Sequence, residues 1–133
     1  MPDMIPELTI LGHTVMEPRK EVECFPNQQS RDYLISLTFP EFTCECPVTG
    51  QPDFATILIE YLPDQKVVES KSLKLYFWSW RNVGMFHENV VNQILTELFE
   101  QIEPLWMRVT GSFNPRGGIG IEVTAEEGSV PKK

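Results

Sequence analysis

Cys46 and Asp53 stand at the two ends of one proline-bounded loop, Cys46-Pro47-Val48-Thr49-Gly50-Gln51-Pro52-Asp53. A cysteine thiolate adds to electrophilic carbon, and a neighbouring carboxyl delivers the proton that the resulting anion needs. The pair can therefore split one hard step into two easier ones. Taken alone, the spacing is a weak signal, because a buried thiol and a turn aspartate give the same pattern. A second polar pair, His87-Glu88, falls at the start of a helical run, where outward-pointing N–H groups favour a carboxylate or a polar ligand. Helix-end stabilisation accounts for that pair equally well. Lys71, Lys74, Arg81, Arg108 and Arg116 fall within or just after the middle of the chain, enough positive charge for a phosphate site inside an acidic protein.

The elements that must position these groups are legible from turn chemistry and periodicity. Apolar residues are frequent over 33–43, and Ile57, Ile59 and Tyr61 alternate over 54–62, so these stretches read as two strands joined by the Cys46 to Asp53 loop. The segment 70–80 fits both periods; Ser70 as N-cap and the preceding Pro63-Asp64 turn favour a helix. Its aromatic residues Tyr76, Phe77, Trp78 and Trp80 have the spacing of a buried face more than of a stacking platform. Val90, Val91, Ile94, Leu95, Leu98, Phe99 and Ile102 form the stripe of a second helix that Pro104 ends. Strands over 106–113 and 120–123 follow, joined by Asn114-Pro115-Arg116-Gly117-Gly118. This order predicts an α+β domain: an antiparallel four-stranded sheet with two helices on one face. Its open edges need partners, which oligomerisation supplies.

Composition bounds the rest. A chain of 133 residues with 41% hydrophobic content suits a single domain, 1–133, with one core. Residues 1–31, with four prolines and little periodicity, read as a segment wrapping the core. The stretch 125–133 reads as a mobile tail. A net charge of −8 and a pI near 4.7 argue against a nucleic-acid partner or an anionic membrane surface. No apolar run approaches the roughly eighteen residues of a membrane span. The N-terminus lacks a secretory pattern, and three cysteines fit reduced thiols in the cytoplasm.

Together, Phe42-Thr43-Cys44-Glu45-Cys46-Pro47-Val48-Thr49-Gly50-Gln51-Pro52-Asp53-Phe54, Glu69-Ser70-Lys71-Ser72-Leu73-Lys74-Leu75-Tyr76, Phe86-His87-Glu88 and Asn114-Pro115-Arg116-Gly117-Gly118 make the chain resemble the short NADPH-dependent 7-cyano-7-deazaguanine reductases. These are the nitrile reductases of queuosine synthesis. The resemblance covers roughly residues 30–123 and implies the tunnelling fold, in which small sheet-plus-two-helix subunits close into an oligomeric barrel with active sites between subunits.

It also implies roles for particular residues. Cys46 matches the nucleophile that forms a covalent thioimide with the nitrile, and Asp53 the proton donor. Val68, Glu69, Ser70, His87 and Glu88 match the substrate contacts; an ionised carboxylate suits the adjacent N–H donors of a deazaguanine. Ser70, Lys71, Arg116 and Gly117 match the NADPH contacts, where cations neutralise phosphate and glycine admits close backbone approach. Lys74 either joins them or lies in solvent. NADPH is thus the expected co-substrate, with no metal and a homo-oligomer as the working form. Two alternatives stand beside this reading: a zinc-dependent cyclohydrolase-like site using Cys44, Cys46 and His87, and a non-catalytic pterin- or purine-binding module in which Glu88 grips a heterocycle. Cys44 has no assigned role.

Overall fold

A computed structural model describes residues 17–130 of the chain. The elements are β1 (Cys24–Pro26), β2 (Ile35–Glu45), β3 (Pro52–Leu62), β4 (Lys66–Val68), α1 (Ser70–Trp78), α2 (His87–Ile102), β5 (Trp106–Arg116) and β6 (Ile119–Gly128). Four strands form the expected antiparallel sheet, in the spatial order β2-β3-β5-β6. Alternation decides its faces. Phe42 and Cys44 from β2, Ala55, Ile57, Ile59 and Tyr61 from β3, and Met107, Val109 and Phe113 from β5 point to one side. Both helices cover that side, contributing Leu73, Tyr76 and Phe77 from α1 and Val90, Val91, Ile94, Leu98 and Ile102 from α2. Rings lock α1 onto β2: Phe77 stacks on Phe39 at 4.6 Å and meets the edge of Phe42 at 6.0 Å. Such pairs contribute about 0.5–1.5 kcal/mol each beyond their area. No helix among the described residues is long and apolar enough to cross a membrane.

Several boundaries differ from expectation, each for a physical reason. A two-stranded antiparallel ribbon, β1 with β4, was not foreseen, because three-residue strands are too short to show a period. Of the expected wrapping segment 1–31, residues 1–16 lie outside the described residues. Residues 17–31 contain β1 and bond to both helices: Val22 N donates to Gln101 Oε1 at 2.7 Å, and Glu23 N donates to Ser72 Oγ at 2.8 Å. The N-cap of α1 is Glu69, not Ser70; its two carboxylate oxygens accept from the backbone N–H groups of Lys71 (2.7 Å) and Ser72 (2.8 Å). A longer acidic side chain satisfies two orphan donors where a serine hydroxyl satisfies one.

The expected tail begins too early. Ala125–Gly128 continue β6, paired to β5 as far as Trp106↔Gly128, and Trp106 Nε1 donates to Glu126 Oε2 at 3.1 Å. An edge strand needs only one apolar side, here Val123 and Ala125; Thr124 and Glu126 face away from it without cost. Residues 131–133 of that stretch lie outside the described residues. The connection after Phe113 is also tighter than expected. Both strands extend through a bulge to Arg116↔Ile119, and Gly117 and Gly118 turn the chain at φ 58° and 82°, backbone values that glycine adopts without steric cost.

Candidate active site

The Cys46 loop hangs from the paired ends of β2 and β3. Its register, Cys44↔Asp53 and Glu45↔Pro52, places Asp53 inside β3 rather than at the loop's far end. Cys46 N donates to the Gln51 carbonyl at 2.8 Å and Gly50 N donates to the Cys46 carbonyl at 2.9 Å, closing a turn in which Gly50 takes φ 71°. Cys46 follows directly on β2, and its bond to the Gln51 carbonyl keeps the loop ends together, so that Cys46 and Asp53 line one cleft.

The turn also tunes the thiol. The Thr49 hydroxyl, followed by the backbone N–H groups of Thr49 and Val48, bonds to sulfur and pulls the Cys46 pKa below its ordinary value; partial burial and the Asp53 charge oppose this less strongly. Hydrogen bonds to the charged form favour thiolate. Its neighbour Cys44 is the opposite case: fully buried, its thiol is pushed up to about 12, chiefly by desolvation and then by the Asp53 charge. Two cysteines two residues apart thus differ: the Cys46 thiol is drawn toward thiolate, and Cys44 is a core residue. Among the described residues no three His, Cys, Asp or Glu side chains form a metal-binding group.

Asp53 is 6% exposed, and each of its oxygens meets a donor. His87 Nε2 lies 3.1 Å from Oδ2 and Arg116 Nη2 lies 2.8 Å from Oδ1. A buried carboxylate needs such partners, since without them desolvation would cost several kcal/mol. His87 is itself fixed, its ring stacked on Phe113 at 3.9 Å and 6°. It reaches the loop because the strap before α2 docks on β2: Glu45 N donates to the Val83 carbonyl at 2.9 Å and Met85 N to the Glu45 carbonyl at 3.2 Å. Gly84 bridges Glu45 there. The N-cap Phe86 gives α2 no side-chain cap bond, and Glu88 in its first turn is exposed. Cys46, Pro47, Asp53, Met85, Phe86, His87, Glu88, Arg116 and Ile121 line one cleft of about 290 Å³.

The remaining expected site residues lie elsewhere. Val68 ends β4, Glu69 is buried at 5% exposure as the α1 cap, and Ser70 and Lys71 open that helix. Ser70 shares a pocket with Leu37, Thr38 and Phe39, near the start of β2. From Thr38 to Glu45 an extended strand spans on the order of 20 Å, so this group and the Cys46 cleft sit toward opposite ends of β2. Gly117 lies at the exposed hairpin tip beyond Arg116. Sequence reasoning missed Thr49, whose hydroxyl acts on sulfur, and Phe113, which shelves His87. The Thr49 signal was its place within the turn itself; Phe113, distant in sequence, gave none.

The QueF-like protein family model matches residues 52–132. A reductase of Syntrophus aciditrophicus is 50% identical over 126 residues, covering 94% of this chain and 89% of that protein. This chain belongs to the QueF-like family. A second relative, from Nitrosococcus oceani, is 57% identical over 111 residues, 83% of this chain and 86% of its own length. Both carry the name NADPH-dependent 7-cyano-7-deazaguanine reductase. Among solved structures, the archaeosine synthase QueF-Like in the apo form superposes with a TM-score of 0.68 at 26% identity, over 74% of this chain and 96% of that one. The QueF-like fold is therefore the one expected here, a tunnelling-fold subunit with an antiparallel sheet backed by two helices.

Proposed function

We propose that this protein reduces the nitrile of 7-cyano-7-deazaguanine to the primary amine of 7-aminomethyl-7-deazaguanine with NADPH, in queuosine biosynthesis, through a thioimide on Cys46. The convergence of a thiol biased toward thiolate and a buried carboxyl on one cleft carries this reading. The names of relatives 50% and 57% identical point the same way.

In the proposed addition, Cys46 sulfur bonds to the nitrile carbon and one π bond of the nitrile opens toward nitrogen. The proton lost by the thiol reaches that nitrogen through the Asp53 carboxyl, so the step is neutral overall. Glu88, exposed at the cleft mouth, accepts the paired N–H groups of the pyrimidine edge. His87 holds Asp53 in place. NADPH supplies hydride, twice over the whole reduction. Ser70 and Lys71 toward one end of β2, and Arg116 with Gly117 toward the other, are the residues proposed to hold it. The fit is favourable at the hairpin tip, where a Cβ added at Gly117 or Gly118 would meet nothing within 4 Å, leaving backbone N–H groups approachable.

Because Val68–Lys71 and Cys46 lie toward opposite ends of β2, a complete site needs a second copy, with Val68, Glu69 and Ser70 of one subunit meeting the cleft of the next. The long edge strands β2 and β6 offer the surfaces for such closure. The test is intact mass spectrometry with 7-cyano-7-deazaguanine in the absence of NADPH. A covalent adduct is expected on the native chain and not on Cys46→Ala, followed by substrate-dependent NADPH oxidation. Tight binding with neither adduct nor oxidation would favour a binding module, and stoichiometric zinc in the purified protein a cyclohydrolase-like site.

A further inference from the structure

The geometry points to Arg116 as a positioning residue for the thiol addition itself, acting before NADPH takes part; this rests on the thioimide reading above. Its guanidinium grips three protein acceptors: Asp53 Oδ1 at 2.8 Å, Gln51 Oε1 at 3.1 Å and the Pro52 carbonyl. Gln51 is the residue whose carbonyl accepts from Cys46 N at 2.8 Å. One side chain, delivered by the tip of the β5–β6 hairpin, thus ties the strand that closes the Cys46 turn to the acid facing it. The planar fork of guanidinium suits this bridging, which a point charge cannot reproduce. A cation present only to receive a cofactor phosphate has no reason to be committed to both the acid and the backbone beside it.

The consequence falls on the proton relay. His87 Nε2 fixes one oxygen of Asp53 and Arg116 the other, so the carboxyl plane is held at one rotation over the cleft. During addition the S–H bond breaks, the C–S bond forms, and one nitrile π bond becomes N–H. Asp53 begins and ends as carboxylate, and Arg116 exchanges no proton. What Arg116 contributes is orientation and a charge matched to the carboxylate at both ends of the relay, effects worth orders of magnitude when geometry is the limiting factor.

The experiment follows adduct formation on the full-length protein with 7-cyano-7-deazaguanine and no NADPH, by intact-mass time course, for the native chain, Arg116→Lys and Arg116→Ala. The adduct rate should fall at least about tenfold in Arg116→Ala, less in Arg116→Lys, and recover in part when free guanidinium is added to Arg116→Ala. A residue serving folding alone would not respond to the added cation. An Arg116→Ala rate within about twofold of native, with only the NADPH KM raised, overturns the inference. Should Arg116→Ala fail to fold, the lysine variant decides, since one ammonium cannot reach all three oxygens: a native adduct rate in Arg116→Lys overturns it as well. Absence of an adduct on the native chain instead overturns the covalent reading and this inference with it.

Discussion

Thr49 is the residue that bears most on the Cys46 thiol. Its hydroxyl is the largest influence lowering the Cys46 thiol, ahead of the backbone N–H groups of Thr49 and Val48. With the pKa below its ordinary value, thiolate accumulates at lower pH than on a free cysteine, so alkylation and adduct formation rise with pH and level off early. Thr49→Val keeps the shape and removes the donor. In that variant the pH profile of Cys46 alkylation by iodoacetamide should shift upward, giving slower labelling at neutral pH and little change at high pH. An unshifted profile would assign the effect to the backbone alone. Cys44, fully buried with its thiol near 12, should stay unlabelled while the protein is folded. That Cys46 and Asp53 would meet at one loop was legible in the sequence; the split between Cys44 and Cys46 was not, because burial and the donors around sulfur are set by the fold.

At the scale of elements, Gly111 decides how α2 seats on the sheet. A Cβ there would lie 2.7 Å from Val91 Cγ2 and 3.0 Å from Phe113 Cε1, distances that force side chains or helix to move. Gly111→Ala should therefore destabilise by about 1–3 kcal/mol, the usual cost of overpacking a filled core, read as a lower thermal unfolding midpoint. Because Phe113 also shelves His87, adduct formation should slow in the same variant. The helix α2 and the strands β2, β3 and β5 were legible because their apolar periods are sustained: 16 residues in α2 and 11 in each of β2, β3 and β5. The β1–β4 ribbon was not, since three residues carry no period. The end of β6 was misread as tail because an edge strand asks for so few apolar residues.

For the whole molecule, the separation of Val68–Lys71 from Cys46 by the length of β2 makes a prediction about copies. If sites form between subunits, Cys46→Ala and Lys71→Ala chains should each be inactive alone. Co-expressed in equal amounts, they should regain on the order of a quarter of native NADPH oxidation, because some interfaces then join an intact Cys46 end to an intact Lys71 end. No recovery in a mixed assembly would place both groups in the service of one chain. The sequence by itself determined the order of the long elements and the family, and it named the residue types able to do chemistry, because residue type and hydrophobic period are local properties. Only the tertiary structure decided the rest. Strand register set Asp53 opposite Cys44, the turn closed on Gln51 kept Cys46 at the same cleft, the docked strap brought His87 to the acid, and the hairpin tip carried Arg116 to Asp53 across 63 positions of chain. Those contacts depend on distance in space, and a single sequence records distance only along the chain.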